Sequence, residues 1–252
     1  MYNQFIFLPL YNGLVGIMDL IPGVDVGIAV IIFTIIVRLI LYPLSKSALL
    51  TQVRMKEVEP EANKIKAQYA NDRQTQALKV MELYKSKKIK PFSGVLLLII
   101  QLPILLALIS VFYKIIPTIH PELLYGFLHV PMSSPTLLGL DLTHKNLILA
   151  LLTAVIQFFQ MHYSLASRQQ RTMALNAPRT PGNKGDKLDT TQFANNMNTQ
   201  MKFMLPIIAF ASVYWLIPAR FPQAAAIIAI YWSVSSLFTL GQELYIRKKH
   251  LS

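Results

Sequence analysis

The chain has 252 residues, 54% of them hydrophobic and only 14% charged, with a mean hydropathy of +0.44 and a formal net charge of +12. So apolar a composition excludes an ordinary soluble domain and reads as membrane spans joined by basic loops. The absence of cysteine excludes disulfides, thiolate chemistry and Cys-based metal sites, and no HExxH, P-loop or GxSxG motif occurs, so an enzyme is not expected.

Residues 1–23 mix Asn3, Gln4, Asn12 and Asp19 with many apolar residues and are interrupted by Pro9, Gly13, Gly16 and Pro22. They read as an extracytoplasmic amphipathic segment on the membrane surface. With no basic n-region and no Arg-rich transit pattern, no cleaved targeting peptide is expected, and an uncleaved bacterial protein fits.

Residues 24–42 (VDVGIAVIIFTIIVRLILY) form the first run long enough to cross a bilayer, and they carry Arg38 with no acidic residue following before Glu57. Arg at a helix centre costs about 2.5 to 3.5 kcal/mol, less than the flanking aliphatic residues return, so the segment still inserts. Either Arg38 snorkels to headgroups near Lys46, or it belongs to a polar stripe of Thr34, Arg38, Tyr42 and Ser45 that faces protein or water. The stripe favours the second reading. Gly23 and Gly27 form a GxxxG around Asp25 at the helix mouth and read as incidental to helix pairing.

The first transmembrane helix is placed at 24–50 and a cytoplasmic helical hairpin at 51–91, where Val58, Ala62, Ile65 and Tyr69 keep a helical period. Pro60 suits a helix start, and Asn71-Asp72 suits a turn or cap before a second helix through Tyr84. Residues 92–252 then hold four more spans, at 92–116, 146–167, 203–217 and 223–244, with connecting loops and a short basic tail. The loop 117–143, with Pro117, Pro121, Pro131 and Pro135, is expected to be irregular with at most short helices, and 176–191 a flexible linker. The fourth span is 15 residues, about 22 Å of helix against a hydrocarbon core of roughly 30 Å, and Pro218 and Pro222 oppose its extension. Either the bilayer thins there or neighbouring helices shield the short span.

Of the 24 Lys and Arg, 11 lie in 44–91, six in 166–202 and three in 247–249, while 1–23 and 117–144 contain none. By the positive-inside rule the N-terminus is outside and the C-terminus cytoplasmic, which an odd number of spans requires. The charge is thus first a topology signal, although a basic cytoplasmic surface also suits anionic lipid or ribosomal RNA.

Two later spans repeat the polar pattern of the first: Thr153, Gln157, Gln160 and Ser164 share one face of the third, and Trp232, Ser236, Thr239 and Glu243 one face of the fifth. A single such stripe commonly hydrogen-bonds neighbouring helices. Three stripes, one with a charge, favour a shared hydrated cavity. Acids are absent from the central parts of all five spans, which argues against a proton- or cation-coupled transporter.

Five ordered stretches carry a resemblance: RLILYPLSKSALLTQVRMKEVEPEANKIKAQY from Arg38, LYKSKKIKPFSGVLLLIIQLPILLAL from Leu83, FLHVPMSSPTLLGLDLT from Phe127, then MKFMLPIIAF and IYWSVSSLFTLGQELYI. Over nearly its whole length the chain resembles the YidC insertases of bacteria and their mitochondrial and chloroplast relatives. The resemblance implies an all-α membrane protein of five transmembrane helices around a hydrophilic groove, with a cytoplasmic helical hairpin after the first. It places Arg38, Thr34, Gln157 and Trp232 in the groove, to which the stripes add Gln160 and Ser236, and it makes Gln101, Pro103 and Leu105 contacts for a substrate helix. The chain departs from the family at SGVLLLIIQ, which stands for a Gly-Gly-Cys-type stretch, and at IPARFPQAAA, which stands for Phe-Pro-x-Gly-Leu. The large extracytoplasmic domain of Gram-negative members is not matched, and the short tail weakens the case for tail-driven ribosome binding.

The implied function is a membrane protein insertase and chaperone that needs no cofactor, metal or catalytic residue. It would pass short polar regions of nascent proteins through the groove and release their helices to lipid. A channel or lipid scramblase using the same groove is the alternative. Expected partners are nascent membrane proteins, the ribosome, membrane lipids and, in cooperation, the Sec translocon, without specific DNA binding. The expected location is the bacterial cell (inner) membrane.

Overall fold

The computed structural model of the chain describes residues 2–90, 93–115, 118–163, 204 and 206–250. Ser164, the linker 176–191 and the basic segment 166–202 lie outside them. The described chain is mostly helical, with one clear apolar span and several shorter apolar helices, as an all-α membrane protein requires.

A π-helical turn (Asn3–Phe7) runs directly into α1 (Leu8–Leu20). Pro9 follows directly on the π-helical turn, whose wider spacing accommodates a proline in a continuous helix. Gly13 does not interrupt the helix. A Cβ there would meet the Phe33 ring at 3.1 Å, so the glycine lets α1 approach the next helix. Phe7, Tyr11, Leu14, Val15 and Met18 are buried along one side of this segment.

Next, α2 (Val26–Ile40) stops at Leu41, and α3 (Tyr42–Glu57) leaves at an angle of 58°. Pro43 explains the break, because its ring would clash with the Leu39 carbonyl one turn back if α2 continued through it. The helices α4 (Glu59–Gln68) and α5 (Arg73–Ser86) pack against each other, and Lys87 Nζ reaches Glu61 Oε1 at 3.3 Å across their ends. Asp72 is the N-cap of α5, its Oδ1 accepting from the backbone N–H groups of Gln74 and Thr75 at 3.1 Å each.

The chain continues through α6 (Ser93–Ile115), α7 (Leu147–Tyr163), α8 (Pro206–Arg220) and α9 (Ala225–His250). Among the described residues only α9, over Ala225–Ile246, is long and apolar enough to cross a membrane alone. The bent pair of α2 and α3 meets the same test jointly, and Ile99–Ile115, Leu147–Tyr163 and Pro206–Arg220 are apolar but shorter. Contrary to expectation, Pro218 does not end α8, which runs on to Arg220. A π-helical turn at Ser212–Leu216 precedes it, with Ile217 N–H bonded to the Ser212 carbonyl, and this wider turn absorbs the register change that proline demands.

The loop between α6 and α7 also differs from the irregular expectation, because it contains a minimal antiparallel hairpin of β1 (Thr136–Leu137) and β2 (Leu140–Asp141). Leu138 and Gly139 form its two-residue turn with φ of 50° and 85°, the positive angles of a type I′ turn. Glycine accepts this freely, whereas leucine is held there by its N–H donating to Asp25 Oδ2 at 2.9 Å.

Asp25 fixes this hairpin over the start of α2. Its Oδ1 accepts from Ser134 Oγ at 3.0 Å and Thr136 Oγ1 at 2.8 Å, while Val26 N–H donates to the Ser134 carbonyl at 3.0 Å. Gly27 serves this hairpin and not helix pairing: a Cβ on it would stand 2.6 Å from Leu137 Cβ and 3.0 Å from the Thr136 carbonyl oxygen. Only glycine lets the hairpin seat. Nearby, buried Asn12 donates to the Leu8 and Leu123 carbonyls at 2.9 Å each and accepts the Tyr125 N–H at 2.7 Å. Tyr11 OH accepts the His120 N–H at 2.8 Å, so α1 secures the same loop.

Candidate functional site

The main apolar cluster of the helix bundle ends beside a group of polar side chains. It joins Leu14, Val15 and Met18 of α1 to Val26, Val30, Phe33 and Val37 of α2, Leu108 and Phe112 of α6, and Ile227 to Tyr231 of α9. The next residue along α2 is Arg38, and the residues following Tyr231 on α9 include Ser233, Ser235 and Ser236. Beyond this level buried polar side chains such as Ser235, Ser236 and Gln242 stand among buried Leu49, Val53 and Ile246.

Arg38 is half-buried beside the Tyr231 hydroxyl. Gln101 Nε2 of α6 donates to that hydroxyl oxygen at 3.3 Å, so Tyr231 ties α9 to α6 next to Arg38. Among the described residues Arg38 has no carboxylate partner. A guanidinium carries five N–H donors, and a neutral phenol leaves most of them to water or to an incoming acceptor.

Thr34 is buried, and its hydroxyl donates to the Val30 carbonyl at 2.6 Å within its own helix. Gln157 lies at the α7–α9 contact, where its Oε1 accepts from Ser236 Oγ at 2.8 Å. One turn earlier Thr153 Oγ1 lies 3.0 Å from Ser233 Oγ and donates to the Leu149 carbonyl at 2.8 Å. This stretch of the two stripes therefore acts as interhelical glue. Gln160 lies further along α7, and its Oε1 is buried without a hydrogen-bond partner. Ser235 Oγ on α9 is in the same state. Buried oxygens of this kind are where ordered water binds.

Trp232 is partly buried against the core. Gln101, Pro103 and Leu105 do not share one surface: Gln101 turns to Tyr231, and Leu105 packs on the core. Pro103 lines an apolar groove of about 420 Å³ between α6 and the start of the chain, with Phe5, Ile6, Pro9 and Leu10 opposite. Outward from α6, Leu96, Ile99, Leu102 and Leu106 are exposed at helical spacing, an apolar stripe suited to lipid.

The residue that sequence reasoning missed is Tyr231. The fifth-span stripe was traced through Trp232, Ser236, Thr239 and Glu243, yet Tyr231, Ser235 and Gln242 form a second stripe one residue out of phase, all three buried. Gln242 Nε2 donates to Ser45 Oγ on α3 at 2.8 Å, which places Ser45 of the first stripe against α9. The signal was present in steps of four and seven from Tyr231.

A family model described as 60Kd inner membrane protein matches residues 17–252, nearly the whole chain. The chain belongs to that family. It is 31% identical over 224 residues to the membrane protein insertase YidC of Fusobacterium nucleatum, covering 88% of this chain and 86% of the relative. The YidC of Clostridium tetani is 29% identical over 227 residues, 90% of this chain and 84% of that one. The YidC of Oleidesulfovibrio alaskensis is 28% identical over 250 residues, which are 98% of this chain but 40% of the longer relative.

Proposed function

We propose that this member of the family is a membrane protein insertase and chaperone, with five membrane spans (α2, α6, α7, α8 and α9), its N-terminus outside and the α4–α5 pair in the cytoplasm. The observation that carries the reading is the half-buried Arg38, without a carboxylate partner among the described residues, at the edge of the apolar cluster beside Tyr231 and Gln101 and near helix faces whose apolar residues are exposed. The names of the relatives support it.

On this reading the polar side chains mark a groove open to cytoplasm and lipid, lined by Arg38, Gln160 and Trp232 with Thr34 behind Arg38 and the Gln157–Ser236 bond in its wall, and the Asp25 hairpin closes the outside. A buried unpaired amide costs several kcal/mol in hydrocarbon, so a groove with unused donors and orphaned oxygens lowers the barrier for a short polar segment. Arg38 adds attraction for acidic residues in that segment. The following hydrophobic helix leaves along α6 and α9, and its burial in lipid at about 25 cal/mol per Å² drives release without a cofactor. The ribosome and the Sec translocon are the natural delivering partners.

Photocrosslinking tests this directly. A photoreactive residue at Trp232 or Leu105 is expected to capture a ribosome-bound nascent chain while its first hydrophobic helix is emerging. One at Leu138, in the external hairpin, should capture none at that stage. Equal capture at all three positions would refute a groove closed to the outside.

A further inference from the structure

The chain carries a second polar cavity, of about 310 Å³, lined by Pro43, Lys46, Ser47, Leu50, Thr51, Arg54, Lys88 and Lys90. Four cations and two hydroxyl residues face one space, and among the described residues no acidic one lines it. Elsewhere on the helix pair, Lys79 is paired with Glu82 at 2.8 Å and Lys87 with Glu61 at 3.3 Å. Among the described residues none of the four cavity cations is ion-paired. Such a cluster repels itself unless an anion enters it.

The backbone at Lys88 points the same way. Ile89 N–H bonds the Tyr84 carbonyl at 2.8 Å and Lys88 N–H the Lys85 carbonyl at 3.1 Å, the two bonds of a Schellman cap on α5. The residue at that left-handed position has φ of 54°, where glycine carries no penalty, yet it is lysine. Ile89 is buried as the hydrophobic contact of the cap, and Lys88 and Lys90 flank it at the cavity.

The cavity also lies at both joints where the chain passes between membrane spans and the helix pair. Pro43, Lys46 and Ser47 belong to the first turns of α3, just after α2, and Lys90 closely precedes α6. Leu39 and Ile40, at the end of α2, are exposed apolar side chains. Cations at this level stand where headgroup phosphates lie, with acyl-chain surface directly below.

We infer that this cavity binds the phosphate of an anionic phospholipid headgroup, anchoring the base of the helix pair at the membrane surface. The test uses the purified full chain in detergent, titrated with phosphatidylglycerol or phosphatidylcholine and read by native mass spectrometry, so its outcome is independent of any insertion activity. One tight phosphatidylglycerol site is expected, with phosphatidylcholine clearly weaker. At about fivefold per cation near a membrane surface, Lys88→Gly should weaken binding about fivefold while relieving the left-handed strain, and Lys88→Gly with Lys90→Gln about 25-fold. Lys64→Gln with Lys66→Gln, on the same helix pair away from the cavity, should leave it unchanged. Equal phosphatidylglycerol binding by wild type and the cavity variants would overturn the inference. So would displacement of the lipid by an equal concentration of inorganic phosphate, which would make the site one for free anion, or occupancy of the site by a short RNA duplex in preference to the lipid.

Discussion

The two ends of this helix bundle treat their polar groups in opposite ways. At the Asp25 end one carboxylate accepts three hydrogen bonds from a hairpin, and Asn12 makes two more to a neighbouring loop. At the Lys46 end four cations converge and, among the described residues, no acidic one lines their cavity, while between the ends Arg38 sits beside the neutral Tyr231. Internally satisfied groups have little to offer a ligand, whereas unsatisfied ones are completed by water, lipid or substrate. The contrast separates a sealed end from a receptive one.

If the Asp25 end is a seal, breaking its internal bonds should have the larger effects on structure. Asn12→Ala would strip partners from the Leu123 carbonyl and the Tyr125 N–H, with an expected loss of about 2–4 kcal/mol. Thermal unfolding in detergent measures it, and a loss below about 1 kcal/mol would mean the loop is held elsewhere. Gly27→Val should cost about 1–3 kcal/mol by driving Leu137 off α2, seen as faster hydrogen exchange over 134–142 with the rest of the chain unchanged.

Smaller effects probe the exposed ends. Asp72→Ala removes the α5 cap, so the Gln74 and Thr75 amides should exchange several-fold faster while amides of the core helices do not. Hydrogen bonds from the Thr143 hydroxyl and N–H, and then the bond to His144, hold the Asp141 carboxyl down from its ordinary 3.8 to about 2. A depressed folded-state value stabilises the ionised form above about pH 4, and this contribution is lost as pH falls through about 2. Protection of the Thr143 amide should therefore be constant from neutral pH to about 4 and fall between about 4 and 2.

Much of the fold was legible in the sequence because apolar runs and basic loops obey strong constraints. Asp72 as a cap and Arg38 as the cation within an apolar helix follow directly from residue type and spacing. The hairpin at Thr136 was not legible, since Leu138 is an unusual residue for a positive φ and is held there by Asp25, more than a hundred residues away. The continuation of α8 beyond Pro218 was missed because a π-helical turn has no simple sequence mark. In the candidate site, helical spacing identified polar faces but could not tell glue from groove. Gln157 bonded to Ser236 and Gln160 left unsatisfied look alike at steps of three and four.

The central claim is that Arg38 supplies positive charge to a groove that receives polar segments. It is tested by the insertion of two single-span substrates that differ only in the charge of the translocated tail, scored by protease protection at equal protein levels. Lysine preserves the cation without the planar fork, so Arg38→Lys should retain most insertion of both substrates. Arg38→Ala and Arg38→Glu should impair the acidic-tail substrate much more than the neutral one, with Glu the worse. Equal insertion of the acidic-tail substrate by wild type, Ala and Glu forms would contradict the account.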